Sequence, residues 1–165
     1  MASPEPHHRV LTVALVAVLA LVGCAGDDDL DDRQAHVAAR GAEVMPFDLD
    51  ATTHVFTNTD DGGIQVVTAD DPSDQTQIDL IRQHLQQEQN NFARGDYDDP
   101  ARIHGMDMPG VAELSEGYAN IEVAYIQRPD GAALVYTTAD PDLVAAIHAW
   151  FDRQIMDHGD HAEVG

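Results

Sequence analysis

Histidine and methionine gather in two short segments, His104-Gly105-Met106-Asp107-Met108 and Met156-Asp157-His158-Gly159-Asp160-His161. Imidazole ligates copper, zinc and nickel, and thioether selects the softer Cu(I). Alternate positions on an extended segment place Met106 and Met108 on one side, near His104. His158-x-x-His161 has the spacing of a chelating pair. His84 and His148 lie beside the apolar stripes of two expected helices, and each precedes a Gly by eleven residues. The set His84, His104 and His148, with Met106 and Met108 as soft ligands, points to a transition-metal site, copper before zinc. His158 and His161 are weaker candidates, and nearby Asp or Glu would orient the imidazoles. The plainer alternative gives each residue a structural role. His104 would end a helix before Gly105, the methionines would fill the core, His84 and His148 would be satisfied at a helix–sheet interface, and the tail histidines would be solvated.

Enzyme signatures are missing. The chain has no G-x-S-x-G, no Walker loop, no G-x-G-x-x-G and no H-E-x-x-H. Beyond residue 24 the only serines are Ser73 and Ser115. There is no Lys for a Schiff base or a phosphate. An acid–base pair of His and Asp remains open, but no spacing singles one out, so no catalytic residue is assigned.

These residues belong to a chain of 165 residues with 30 Asp+Glu against 8 Lys+Arg, a net charge of −22. Duplex nucleic acid is excluded as a partner, because neutralising phosphates requires a basic face. An anionic membrane surface would repel the chain for the same reason. The 44% apolar content is enough for a core.

The N-terminus reads as an address. Leu11 to Val22 is a twelve-residue apolar run, shorter than the ~20 residues a spanning helix needs and suited to a signal peptide. It ends at Leu21-Val22-Gly23-Cys24, which resembles the bacterial lipobox. Residues 1–23 are therefore expected to be removed. Cys24, the only Cys, is expected to be lipidated and to anchor the chain to the membrane, in the bacterial cell envelope outside the cytoplasm. Residues 24–50 follow as an acidic tether, with Gly26 to Asp32 extended by like-charge repulsion.

Residues 51–159 then read as one domain of two similar halves, 52–95 and 120–159, joined by 96–119. In the first half, strands at Thr53–Thr57 and Ile64–Thr68 flank the turn Asp60-Asp61-Gly62-Gly63. A helix is expected from an Asp71 cap and Pro72 to about Arg94, with Ile78, Ile81, Leu85 and Phe92 on one face. In the second, strands around Ile121–Tyr125 and Ala132–Thr137 precede a helix from Asp140-Pro141 to His158, with Val144, Ile147, Phe151 and Ile155 on its apolar face. A short helix is expected at Val111–Gly117, and residues 160–165 as a flexible tail. The expected fold is α+β in two layers, a four-stranded antiparallel sheet with two main helices on one face. A true duplication would place His84 and His148 about a pseudo-twofold axis, with His104 brought to them by the linker.

The segments MPFDLDATTHVF, DPARIHGMDMPGVAEL and TTADPDLVAAIHAWFDRQIMDHG resemble a family of small bacterial secreted proteins often labelled aspartate carbamoyltransferase. The resemblance covers residues 45–159. The transcarbamoylase itself is a two-domain α/β enzyme about twice this length, with a Ser-Thr-Arg loop and a phosphate-binding Lys. None of these is present here, so the resemblance implies a family and transfers no catalytic residue. The overall expectation is a lipid-anchored extracytoplasmic domain that binds copper or zinc. The alternatives are a ligand-free interaction lipoprotein and a small enzyme using His/Asp acid–base chemistry.

Overall fold

The structure, a computed structural model, describes residues 25–165. The signal-peptide run and Cys24 lie outside the described residues. Among the described residues no helix is long and apolar enough to cross a membrane.

Strand β1 (Thr52–Thr59) turns back as β2 (Gly62–Ala69), and β3 (Glu122–Arg128) turns back as β4 (Gly131–Thr137). The two hairpins join through an antiparallel β2–β4 pairing that runs from Gly62↔Thr137 to Thr68↔Gly131. The inner strand of each half thus meets the inner strand of the other, as a repeat about a twofold axis would arrange them. The expected four antiparallel strands are present, and a fifth is added. In the order β3-β4-β2-β1-β5, the last strand (Ala162–Val164) runs parallel to β1. The tail expected to be flexible is instead a 3-10 turn (Gly159–His161) and this strand. An open edge of β1 leaves backbone donors and acceptors unpaired. The tail satisfies them, down to Gly165 N–H donating to Phe56 O at 3.0 Å.

Helices α2 (Gln75–Phe92) and α5 (Pro141–His158) cover one face of the sheet. Phe92 of α2 and Trp150 of α5 both pack on Tyr136 of β4, with ring centroids 6.2 and 5.6 Å away. Each helix lies mainly over the other half's hairpin or the sheet centre, α2 over β3 and β4 and α5 over β1 and β2. Asp140 caps α5 as expected, accepting from Asp142 N–H. Helix α2 starts later than expected. Asp71 accepts from the Ser73 backbone and hydroxyl in a local turn, and Asp74 becomes the cap, accepting from Thr76 and Gln77 N–H.

The linker between the halves is more ordered than expected. It holds α3 (Asp98–His104), closed by Gly105 at φ 108, and the expected α4 (Val111–Gly117). The acidic tether is the larger correction. Residues expected to be extended form the start of α1 (Ala25–Val44), which docks against α3 and α5.

Gly62 and Gly131, at the two ends of the β2–β4 pairing, mark the closest approaches of the sheet backbone. A Cβ placed at Gly131 would lie 2.0 Å from Val67 O across the β2–β4 pairing. Gly131→Ala is expected to lower unfolding free energy by ~2–3 kcal/mol, as overpacking against backbone does. Urea denaturation measures it, and a change below ~0.5 kcal/mol would show that the strands separate freely.

Candidate functional site

Four chain segments bring imidazoles together at one end of the helix layer. His54 lies on β1 in the inward alternation Thr52, His54, Phe56. His104 is the last residue of α3, His158 the last of α5, and His161 lies in the turn that follows. The His158 ring is centred 5.1 Å from His54 and 5.1 Å from His104. His84 stands beyond Phe47, whose ring is 5.6 Å from His84 and 6.0 Å from His54.

Asp157 organises this cluster. Its carboxylate is 2% exposed. It accepts from His104 Nδ1–H at 2.8 Å, from Arg33 Nε–H at 2.6 Å and from Arg33 Nη2–H at 2.8 Å. Arg153 Nε sits 3.1 Å away as an ion-pair partner without a directed hydrogen bond. The two guanidinium groups neutralise Asp157, so it orients His104 and is not itself a free ligand. With Nδ1 turned to Asp157, Nε2 is the His104 nitrogen left for another partner. His158 Nε2–H donates to Gln154 Oε1 at 3.2 Å, which leaves its Nδ1 lone pair. His54 Nδ1 is buried with no partner.

Burial favours the neutral form of His54, His158 and His84. Burial lowers His54 to about 4, with His84, His161 and His104 adding to the effect. Burial also lowers His158 well below the usual 6.5, aided by His54, His104 and His161. His84 is lowered by burial, with Asp99 pulling partly back.

The cluster lies between two spaces. On the inner side is a cavity of about 40 Å³ bounded by His84, Glu88, His104, Gln154, Trp150 and Met45, among others. That is room for an ion or a few waters and not for an organic substrate. Burial, with Asp99 second, pushes Glu88 up to about 7, against a hydrogen bond from Asn91. On the outer side is a groove of about 410 Å³ lined by Asp157, His158 and His161 and by the carboxylates of Asp31, Asp50 and Asp160. His161 Nε2 lies 3.5 Å from Asp50. A cation approaching His158 therefore passes an acidic rim. Among the described residues, no three or more His, Cys, Asp or Glu are already arranged to hold a metal ion.

The expected triad of His84, His104 and His148 does not form. His84 and His104 share the inner cavity, but His148 is at the far end of the sheet. Its Nε2–H is shared between Thr59 O at 3.0 Å and Gly62 O at 2.9 Å, closing the β1–β2 turn. The matching role in the other half falls to Arg82, which donates to Arg128 O, Pro129 O and Gly131 O at the β3–β4 turn. The pseudo-equivalent of His148 is thus Arg82 rather than His84. Met106 is 88% exposed, and Met108 is buried in the apolar core and lines neither space. His54, Asp157, Glu88 and the two arginines are the participants that sequence spacing did not single out. Asp157 was written between Met156 and His158 throughout, but only its contact with α1 and α3 distinguishes it from 22 other aspartates.

Comparison of the chain with protein-family models, curated proteins and solved structures gave no match in any of the three.

The neutral imidazoles make stability depend on pH. His54 takes up a proton near 6.5 when unfolded and near 4 when folded, so stability is full above 6.5 and is lost as pH falls toward 4. For His54 alone this is ~3 kcal/mol, and His158 acts in the same direction. Glu88 opposes them. Its folded form keeps a proton up to about 7 against 4.5 when unfolded, so its contribution shrinks as pH rises through that window. Two imidazoles outweigh one carboxyl. The urea midpoint is expected to fall between about pH 7 and about pH 4.5, less steeply in His54→Phe and more steeply in Glu88→Gln. Equal slopes in all three proteins would contradict this assignment.

Proposed function

We propose that the chain is a lipid-anchored extracytoplasmic domain that binds one transition-metal ion, zinc or copper, at the cluster of His54, His104 and His158. The anchor is supported by the lipobox-like Leu21-Val22-Gly23-Cys24. The observation that carries the metal reading is the His104–Asp157 bond at 2.8 Å. A carboxylate that fixes the tautomer of an imidazole and raises its basicity is the usual support of a metal ligand.

The surroundings agree with this reading. His158 stands 5.1 Å from each of the other two rings. Two imidazoles bonded to one tetrahedral ion at ~2.0–2.1 Å have centroids ~5 Å apart. The ring separations match those of ligands to one ion, and binding would require side-chain rotation to turn the nitrogens toward it. Burial lowers His54 and His158 and so favours the neutral ring that ligation requires. His104 and His158 end helices, where the macrodipole favours positive charge. The thioether argument for copper over zinc falls away, because Met106 and Met108 stand outside the cluster. Imidazoles suit zinc and Cu(II) alike. An acid–base enzyme would use the same His104–Asp157 pair, but His104 faces the 40 Å³ cavity, which has no space for an organic substrate.

The test is the metal content of the purified chain after loading with zinc or Cu(II) and dialysis. One ion per chain is expected, with affinity reduced ~10-fold or more in His104→Ala and His158→Ala and unchanged in His148→Ala. No stoichiometric ion in the unmodified chain, or equal loss in all three variants, would sink the proposal.

A further inference from the structure

Helix α1 covers Asp157 and the last turn of α3, where His104 sits, and its attachment differs from that of the other helices. Among its described residues, Val37 is the one apolar side chain in the core. The rest of its grip is polar. Arg33 reaches Asp157 and also donates to His104 O at 3.1 Å. Gln34 donates to Met156 O at 2.8 Å, and Arg40 donates to Ile103 O at 2.5 Å. An element held this way, with little buried apolar surface, opens at a lower free energy than the core.

Charge weakens the attachment further. Helix α1 contains Asp27, Asp28, Asp29, Asp31, Asp32 and Glu43 against Arg33 and Arg40, and the domain beneath it is acidic as well. The seam is also incompletely packed. The 410 Å³ groove lies along it, with Asp31, Gln34, Ala35 and Ala38 on the helix side and Asp50 and Asp157 to His161 on the domain side. At its C-terminal end, the chain leaves α1 at Val44 and is pinned again at once by buried Phe47. A pivot at Met45-Pro46 would therefore swing α1 without disturbing β1.

We propose that α1 is a strap across the histidine cluster, latched by Arg33 on Asp157, and that its release opens the way from the groove at His158 to buried His104 and His54. Lifting it uncovers Asp157 and His158 and removes the Arg33 bond to the last turn of α3, where His104 sits. The acidic helix returns by re-forming the same few hydrogen bonds, so opening is reversible. The strap rests on reading the cluster as the binding site.

Hydrogen–deuterium exchange of the full chain, read by mass spectrometry, tests the strap without any metal. Peptides from α1 are expected to exchange at least ~10-fold faster than those from β2 and β4. Arg33→Ala is expected to speed exchange in α1 alone and to raise the rate at which diethyl pyrocarbonate modifies His158 several-fold. Arg40→Ala, which leaves every partner of Asp157 in place, is expected to shift both readouts in the same direction. Exchange of α1 in step with β2 and β4 would overturn the proposal. So would loss of sheet protection in both variants, because α1 would then be part of the cooperative core. Faster α1 exchange with unchanged His158 modification would also overturn it. If the chain binds no metal while these results hold, the metal reading fails and the strap stands.

Discussion

The Asp157 carboxylate is surrounded by two guanidinium groups and one imidazole, and three helices meet at it. Arg33 comes from α1, His104 from α3, and Arg153 from α5, one turn before Asp157 itself. A buried carboxylate loses several kcal/mol of hydration, which only close, well-directed partners recover. Asp157 has them within 2.6–3.1 Å. The same contacts that hold α1 and α3 against α5 decide which nitrogen of His104 carries a proton. Fold and site therefore share one interaction, and neither can be altered there without the other.

The composition gives this arrangement its meaning. A chain with 30 acids and 8 Arg cannot pair most of its carboxylates. Two of the eight arginines nevertheless converge on a single Asp. A third, Arg82, closes the β3–β4 turn, and Arg40 holds the end of α3. At the surface Asp79, Asp96, Asp99 and Asp130 each pair with an Arg, while Asp31, Asp50 and Asp160 form the rim of the groove. The acid surplus keeps the surface charged and lines the approach to the neutral imidazoles. It also makes the docking of α1 an attachment of like charge to like, held by directed bonds.

Much of the layer architecture was legible in the sequence, because period-two and helical patterns report burial directly. The hairpin turn at Asp60-Asp61-Gly62-Gly63 and the Asp140 cap of α5 both follow from local chemistry. Three features were not legible, each for a physical reason. Helicity in Gly26–Asp32 depends on docking of α1, which no local pattern encodes. The fifth strand has only three residues and forms because β1 offers an open edge. The site depends on which face of β1 points inward. Alternation pairs His54 with Phe56 and Thr53 with Val55, and only the packing of α5 decides between them. The likeness of the two halves was instructive but shifted, since equal spacing to a terminal Gly matched His148 to His84 while the fold matches it to Arg82.

The tautomer of His104 is the most direct test, because the Asp157 carboxylate at its Nδ1 determines it. Long-range ¹H–¹⁵N correlation spectra of the ¹⁵N-labelled chain at neutral pH report which ring nitrogen of each His carries the proton. A proton on His104 Nδ1, toward Asp157, is expected, and addition of zinc should move the His104 Nε2 resonance while leaving that of His148 in place. A proton on Nε2, or a His104 indifferent to zinc, would contradict the role given to Asp157 and the site built on it.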